Sequence, residues 1–296
     1  MTELPPRYPV AIVGVGNMGG AMAARLLEQG WAVHVHDIDC SKQDALAAAG
    51  GMAHDSPAQA AQACEAVIVC VVDAAQCEQV LFGSRGLAGA LPPGRLVMLC
   101  PTMAPRDTES LAGRLAQQGI EVLDAPMSGG PARARDGSMS LMLAGRETVA
   151  ARFEALLCAL SSRIFRISER VGDGARTKLV NNLAAGINLV AAAEVLAMAR
   201  ALGLDQARTL GVIEQSSGQS WIGSDRMRRA IAGDWAPRAH MTLLTKDTQL
   251  ALQAAQPAGF SGPLGAAAAE VFARASAGGL ADLDDAAVLR WLQDGA

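Results

Sequence analysis

The feature that most constrains the fold is a glycine-rich turn set between a strand-like run and an amphipathic helix. Val10–Val13 is short and apolar, Gly14–Gly19 reads Gly-Val-Gly-Asn-Met-Gly, and Gly20–Gln29 has helical periodicity. Trp31–His36 then alternates like a strand and ends at Asp37. Glycines in this spacing also serve ordinary turns, but strand, glycines, helix, strand and acid in this order are typical of a dinucleotide-binding βαβ unit.

Each glycine of this turn has a separate physical use. Gly14 permits the tight turn, Gly16 lets the backbone approach a pyrophosphate, and Gly19 lets the helix pack closely on the strand. The helix N-terminus then faces the phosphate charge. The predicted cofactor contacts of the turn are Gly14, Gly16, Asn17, Met18 and Gly19.

Asp37 predicts the choice of cofactor. A carboxylate at the end of the second strand accepts from a ribose 2′-hydroxyl and repels a 2′-phosphate. No arginine follows it immediately, and the nearest basic residue is Lys42. We therefore expect NAD rather than NADP.

The alternation of strand and helix patterns continues through the first half of the chain and predicts an α/β, doubly wound, parallel sheet of Rossmann type. Ligands of such sheets lie beyond the carboxyl ends of the strands, which places Val72, Thr102 and Ala125–Pro131 around one crevice with the glycine turn. The further predicted elements are strands at Ala66–Val72, Leu96–Leu99, Glu121–Asp124 and Ser138–Ala144 and helices at Ser41–Ala49, from Ser56-Pro57, and at Arg106–Gln118. A loop is expected between the last two strands.

A long helix over Gly172–Leu202 opens the second half, which has helical patterns without a convincing strand. We predict a Rossmann domain over residues 1–168 and an all-α domain over 169–296, joined by this helix with the active site in the cleft. Lys178 and Asn182 lie four residues apart and so share one helix face, and Gly186 allows a close neighbour. The further predicted helices are Asp205–Gln215, Asp225–Ala232, Leu243–Ala255 and Leu264–Ala277.

Composition excludes several classes of function. Hydrophobic residues make up 51%, charged residues 18% and the net charge is −4, which argues against nucleic acid as a partner. The six cysteines form no metal-ligand spacing and the four histidines no visible cluster, so we expect no metal site and free buried thiols in a reducing cytoplasm. The first apolar run lacks a basic leader, and no run is expected to span a membrane.

Four segments together resemble the β-hydroxyacid dehydrogenases, a family that includes 3-hydroxyisobutyrate dehydrogenase, over essentially the whole chain. They are GVGNMGGAMA at the glycine turn, DAPMSGG at 124–130, GDGARTKLVNN at 172–182, and the pair Lys246-Asp247. The resemblance implies an NAD(P)-dependent oxidoreductase that interconverts a small 3-hydroxy acid and its 3-oxo acid. Ala- and Gly-rich helix faces in the second half favour a homodimer or homotetramer.

The resemblance also implies roles for individual residues. Lys178 corresponds to the family's catalytic acid/base, and a lysine shielded from water can take a hydroxyl proton as hydride leaves. A serine hydroxyl with two unhindered amides suits a carboxylate. The implied contacts are Ser128, Gly129 and Gly130 to the substrate carboxylate, Asn182 to the substrate, and Thr102 and Lys246 to the cofactor. Family members often have Pro at Asp73 and Ser at Pro101, which leaves the local cofactor contacts open.

Structural interpretations compete for several of these residues. Lys178 fits a lysine extending to solvent at a helix start, and Ser128 fits the cap of a Gly-Gly turn. Lys246 fits a solvated helix face. Trp221 is predicted to wall the pocket but fits a core aromatic equally well. Arg133 and Arg135 fit either a positive pocket mouth or solvated arginines.

Two further functions share this architecture. An imine reductase would usually replace the lysine found here at Lys178. A non-catalytic dinucleotide-binding scaffold or sensor is not excluded by the fold alone. Convergence of Lys178, Asn182 and Ser128 beside the nicotinamide would separate an enzyme from a scaffold.

Overall fold

The computed structural model describes residues 7–295 of the chain. It divides into two compact units, Met1–Lys178 and Leu179–Ala296. The predicted division at residues 168 and 169 stays a prediction. The two units are described one after the other.

The first unit is built on a sheet whose central strands are parallel and buried. The strand order places β1 between β2 and β4, and Val10 of β1 pairs with both Val33 and Ala66. Every residue of β1, β4 and β5 is buried, as expected for strands covered on both faces. The parallel strands, in spatial order, are β3 (Met52–Ala53), β2 (Val33–His36), β1 (Val10–Val13), β4 (Ala66–Val69), β5 (Leu96–Leu99) and β6 (Glu121–Asp124).

Helices cover both faces of this sheet and form two apolar cores. One core contains Ile12 and Ile68 of the sheet with Met22 and Leu26 of the first helix, all buried. The other contains Val13 and the opposite-facing side chains of the same strands. The helices are α1 (Asn17–Glu28), α2 (Cys40–Ala48), α3 (Pro57–Ala61), α4 (Ala74–Phe82) and α5 (Pro105–Gln117).

The predicted doubly wound sheet of Rossmann type is confirmed, but the sheet is mixed, because the expected parallel order fails at one edge. β8 (Ser140–Ala144) is antiparallel to β6 and to β7 (Met127–Ser128), and it is parallel to β9 (Arg163–Ser168). The segment predicted as a loop before β8 contains β7 and α6 (Gly130–Asp136). A two-residue strand and a seven-residue helix are too short to show a period in the sequence. Two short helices, α7 (Glu147–Arg152) and α8 (Glu154–Leu160), precede β9.

The described part of the second unit contains α-helices and no strand. Leu189, Ala193 and Leu196 of the long helix α9 lie in its core together with Met227 and Phe272. A Cβ on Gly186 would lie 2.8 Å from Thr248 Cγ2, which confirms the expected close approach of a neighbouring element. The helices are α9 (Asp173–Ala201), α10 (Gln206–Glu214), α11 (Trp221–Ile231), α12 (Met241–Ala255), α13 (Pro263–Ala275) and α14 (Val288–Gln293).

No run is expected to span a membrane, but α9 is long and apolar enough to do so by length and composition alone. This 29-residue helix meets both criteria by length and composition. The sequence reading underestimated it because Lys178 and its neighbouring asparagines interrupt the apolar run. Its buried face packs in the core of the second unit, as in the core helix of a globular domain.

Two expectations about side chains also need correction. His34, His36 and His54 do come together: His34 Nδ1 lies 2.8 Å from His54 Nε2, and His36 Nδ1 lies 2.9 Å from the backbone oxygen of His54. Burial and the neighbouring His54 lower the pKa of His34. Of the six free cysteines, Cys40 and Cys158 are exposed. The histidines come together because β2 pairs with β3, which His54 directly follows.

Candidate active site

The glycine turn follows β1 and opens α1 in the way expected for a phosphate site. Gly14 has φ +88°, and a Cβ there would lie 2.6 Å from the backbone oxygen of Cys70. A Cβ on Gly19 would lie 1.9 Å from the backbone oxygen of Gly14, whereas no atom lies within 4 Å of one on Gly16. Packing thus requires two of the glycines, and Gly16 leaves its side of the turn open.

The amides of the first turn of α1 can meet an anion. Gly16 is the N-cap residue, Asn17 and Met18 begin the helix, and no side chain caps this end. Uncapped amides at a helix start, beside an open glycine, form a cradle for a pyrophosphate. The residues present therefore fit the dinucleotide that the sequence predicts.

Asp37 lies beside this turn. Its Oδ2 accepts from the backbone N of Val15 at 2.7 Å, and its Oδ1 accepts from the backbone N of Asp39 at 2.9 Å. Asp39 caps α2, and Lys42 Nζ lies 3.3 Å from Asp39 Oδ2. The carboxylates of Asp37 and Asp39 therefore both lie beside the glycine turn, and Lys42, the nearest lysine, is already paired with Asp39.

The ends of β4 and β5 bring Val72 and Thr102 to the same edge of the parallel sheet. Val72 is 50% exposed, and its backbone N donates to Gln76 Oε1 at 3.0 Å. Thr102 is half-buried in the segment after β5. Asp73 caps α4 by accepting from the backbone N of Gln76 at 2.8 Å. This capping gives Asp73 a structural role that the sequence did not indicate.

The predicted carboxylate loop begins in β7, where Ser128 pairs with Ser140 of β8. Gly129 and Gly130 follow with φ +130° and +76°, backbone angles that only glycine adopts easily. A Cβ on Gly129 would lie 2.8 Å from Arg133 Cδ. Consecutive amides in such conformations are suited to an anion.

The arginines that follow this loop contact residues of the first unit, and both interpretations of them, a positive pocket mouth or solvated arginines, stay predictions. Arg135 is paired with Glu28 of α1. The aliphatic part of Arg133 packs against Gly129. Both therefore have structural contacts inside the first unit.

Lys178 is buried, at 8% exposure, in the second turn of α9. The interpretation of a lysine that extends to solvent is therefore wrong. The helix start is held by Asp124, whose Oδ2 accepts from the backbone N of Gly172 and of Ala175, each at 2.9 Å. No role is predicted for Asp124 from the sequence; its place as the last residue of a predicted strand was the available signal.

In the second unit, Asp247 joins two predicted site residues. Asn182 Nδ2 donates to Asp247 Oδ2 at 2.6 Å, and Lys246 Nζ lies 2.9 Å from Asp247 Oδ1. Asp247 is 5% exposed. Asn181 Nδ2 donates to Asn182 Oδ1 at 3.1 Å, which fixes the orientation of the Asn182 amide. The interpretation of Lys246-Asp247 as a solvated pair is therefore wrong for Asp247.

Trp221 is the first residue of α11, after the N-cap Ser220. It is 46% exposed, so it is not a core aromatic. Its predicted role as a pocket wall stays a prediction. A grouping of three or more histidine, cysteine or acidic side chains able to hold a metal is absent from residues 7–295.

The chain is similar to known protein families and to known proteins over most of its length. Residues 9–168 match the family model described as the NAD binding domain of 6-phosphogluconate dehydrogenase, and residues 172–292 match that described as the NAD-binding of NADP-dependent 3-hydroxyisobutyrate dehydrogenase. L-threonate dehydrogenase of Cupriavidus necator is 37% identical over 281 residues, covering 95% of each chain. 3-Hydroxyisobutyrate dehydrogenase of Pseudomonas aeruginosa is 34% identical over 270 residues, covering 89% of this chain and 90% of that one.

Solved structures of dehydrogenases also resemble this chain. The crystal structure of a 3-hydroxyisobutyrate dehydrogenase from Salmonella typhimurium is 34% identical, with a TM-score of 0.90 over 96% of this chain and 99% of that one. Psf3 in complex with NADP⁺ and 2-OPP is 28% identical at the same TM-score and coverage. Imine reductases, such as that of Streptomyces aurantiacus at 24% identity and TM-score 0.67, share the fold alone. The chain therefore belongs to the β-hydroxyacid dehydrogenases, NAD(P)-dependent oxidoreductases with an N-terminal Rossmann domain and a C-terminal helical domain.

Proposed function

We propose that the protein interconverts a small 3-hydroxy carboxylic acid and its 3-oxo acid with NAD, and that Lys178 is the general acid/base. The observation that carries this is the burial of Lys178 on a helix whose start is held at the carboxyl end of β6. The glycine turn, Val72 and Thr102 lie at the same edge of the parallel strands. Buried lysines are rare, and burial shields the amine from bulk water, which favours a role in proton transfer.

The reaction balances with the groups present. When bound, NAD⁺ accepts the hydrogen of the carbinol carbon with its electron pair, as hydride. Lys178 Nζ takes the hydroxyl proton, so the products are the oxo acid, NADH and one proton. In the reverse direction Lys178 returns that proton to the carbonyl oxygen. Asn182, its amide held by Asp247, anchors the substrate one helical turn beyond Lys178.

The substrate is a short acid recognised by its carboxylate. Ser128, Gly129 and Gly130 supply a hydroxyl and two unhindered amides for an anion. If Lys178 reaches the reacting hydroxyl while these residues hold the carboxylate, only one or two carbons separate the two groups. The names of the L-threonate and 3-hydroxyisobutyrate dehydrogenases among the relatives support a small hydroxy acid. We assign the pocket wall to the half-exposed Trp221.

The finer assignment of cofactor, assembly and location rests on separate features. Asp37 and Asp39 support NAD over NADP, although the relative Psf3 was solved with NADP⁺. Exposed apolar side chains on α9 support a homodimer or homotetramer. The free cysteines fit a reducing cytoplasm.

The test is a spectrophotometric screen of 3-hydroxyisobutyrate, glycerate, L-serine and threonate with NAD, each beside its methyl ester or amide. Turnover of the acids but not of the uncharged analogues supports the carboxylate site, and Ser128→Ala should cost about 1–3 kcal/mol in kcat/KM. Equal turnover of the uncharged analogues contradicts the substrate class. Turnover of a cyclic imine with NADPH, but of no hydroxy acid, identifies an imine reductase instead.

Lys178 is tested by a pair of substitutions. Lys178→Ala should lower kcat by about 10²–10⁴-fold while the Kd of NAD stays within a few-fold. Lys178→Arg keeps the positive charge but does not release its proton, so it should be as inactive as the alanine variant. Activity within a few-fold of the parent in either variant removes Lys178 from the chemistry, and NAD binding without any turnover in the parent favours a scaffold or sensor.

A further inference from the structure

The start of α9 is capped by a side chain from the sheet, not by one of its own residues. Asp124 ends β6, is 2% exposed, and accepts from two amides of the helix start that lie 48 and 51 residues further along the chain. A carboxylate at this place satisfies amides that have no partner within the helix and interacts favourably with the helix dipole. The first turn of α9 is thus attached to the carboxyl end of a buried strand.

Two glycines make this attachment possible. Gly172 has φ +98°, which lets the chain turn from β9 into the helix. A Cβ on Gly174 would lie 2.9 Å from Asp124 Cγ and 2.9 Å from the backbone oxygen of Met142. Any side chain at Gly174 would therefore push the helix start away from Asp124.

The surroundings of Asp124 act on its charge in opposite directions. Burial raises the pKa of Asp124 to about 6, against the opposing effect of the helix amides, and the nearby carboxyl of Asp173 adds to the rise. The buried thiol of Cys100 is the other titratable group beside it. Burial therefore opposes the ionised form that the helix amides favour, and what the geometry requires at this position is an acceptor oxygen.

We propose that Asp124 is a positioning residue for Lys178: by holding Gly172 and Ala175, it sets where the helix places the lysine Nζ. Lys178 follows Ala175 by three residues on the same rigid helix, so a shift of the first turn moves the amine with it. A misplacement of about 1 Å is enough to lower a proton transfer rate by orders of magnitude. This role rests on the proposed function of Lys178.

The test compares kcat, KM and the Kd of NAD in three variants of the full-length enzyme. Asp124→Ala removes the acceptor and should lower kcat by about 10- to 100-fold while the Kd of NAD stays within a few-fold. Asp124→Asn retains an acceptor oxygen and should recover most of that loss. Gly174→Ala keeps the carboxylate but displaces the helix start, so it should reproduce the loss in kcat even if Asp124→Ala does not fold.

Asp205→Ala is the matched control. Asp205 caps α10 by accepting from the backbone N of Arg208 at 2.7 Å and is exposed, so the same substitution removes a helix cap elsewhere and should leave kcat unchanged. Thermal unfolding of each variant shows that activity is measured on folded protein.

A double variant separates this proposal from the proposed function. In a Lys178→Ala background, Asp124→Ala should cause no further loss of kcat, because Asp124 acts only through the lysine. Additive losses, or unchanged kcat in both folded Asp124→Ala and Gly174→Ala, overturn the positioning role. If Lys178→Ala by itself retains activity, that result contradicts the proposed function of Lys178, on which the positioning role depends.

Discussion

At the scale of single residues, Asp37 is expected to set the choice of cofactor through its charge. Asp37→Asn keeps one acceptor oxygen, enough for the backbone amide of either Val15 or Asp39, and removes the repulsion of a 2′-phosphate. The ratio of kcat/KM for NAD over NADP should fall by about 10-fold or more. Asp44→Asn, an exposed position of α2, removes the same charge and should leave the ratio unchanged. A parent enzyme that uses NADP as well as NAD would contradict the role of Asp37.

Asp124 should also make the free energy of unfolding depend on pH. Its pKa is raised in the folded state to about 6, above its ordinary value of 3.8, so the folded protein binds this proton more tightly than the unfolded chain does. The raised pKa contributes at most about 3 kcal/mol to the free energy of unfolding. This contribution is fully present below about pH 4 and is lost as the pH rises through about 6. Urea unfolding of parent and Asp124→Asn should show the parent losing stability relative to the variant between pH 5 and pH 7.5. A constant difference across that range contradicts the burial of an ionised carboxylate.

At the scale of elements, the packing of α9 against α12 and α13 depends on the absence of a side chain at Gly186. A Cβ there would lie 2.8 Å from Thr248 Cγ2 and 3.2 Å from Phe272 Cε2. Gly186→Ala should therefore destabilise the second unit by about 1–3 kcal/mol, as seen by chemical denaturation. Gly211→Ala, in α10 with no atom within 4 Å of its Cβ, should instead stabilise by about 0.5–1 kcal/mol. Equal effects of the two would exclude the crowding argument.

At the scale of the whole molecule, one face of α9 predicts self-association. Val180, Val195, Met198 and Leu202 are exposed and recur at spacings that return to one side of a helix, opposite the face packed in the core. Apolar side chains arranged in this way are typical of a surface that another chain covers. Sedimentation at micromolar concentration should give a dimer or tetramer, and Met198→Glu with Leu202→Glu should shift it toward the monomer. A monomeric parent would contradict the subunit contact.

The sequence by itself determined the elements that carry a local period or a local turn. The glycine turn, the strands β1, β2, β4, β5 and β6 and the long helix are predicted correctly, because apolar strand runs and helical periodicity are visible in adjacent residues. The family could be named from four segments for a related reason: a phosphate turn and a helix-borne lysine each need only a short stretch of chain. The two-residue strand β3 (Met52–Ala53) was not predicted.

Only the tertiary structure decided which distant residues meet. Asp124 caps α9 across 48 residues, and Asp247 holds Asn182 across 65, so neither contact has a signature in any window of sequence. The reversed direction of β8 and the short β7 and α6 were missed because their stability comes from neighbours in the sheet rather than from their own residues. The burial of Lys178, which separates a solvated lysine from a chemical group, is likewise a property of the packed chain.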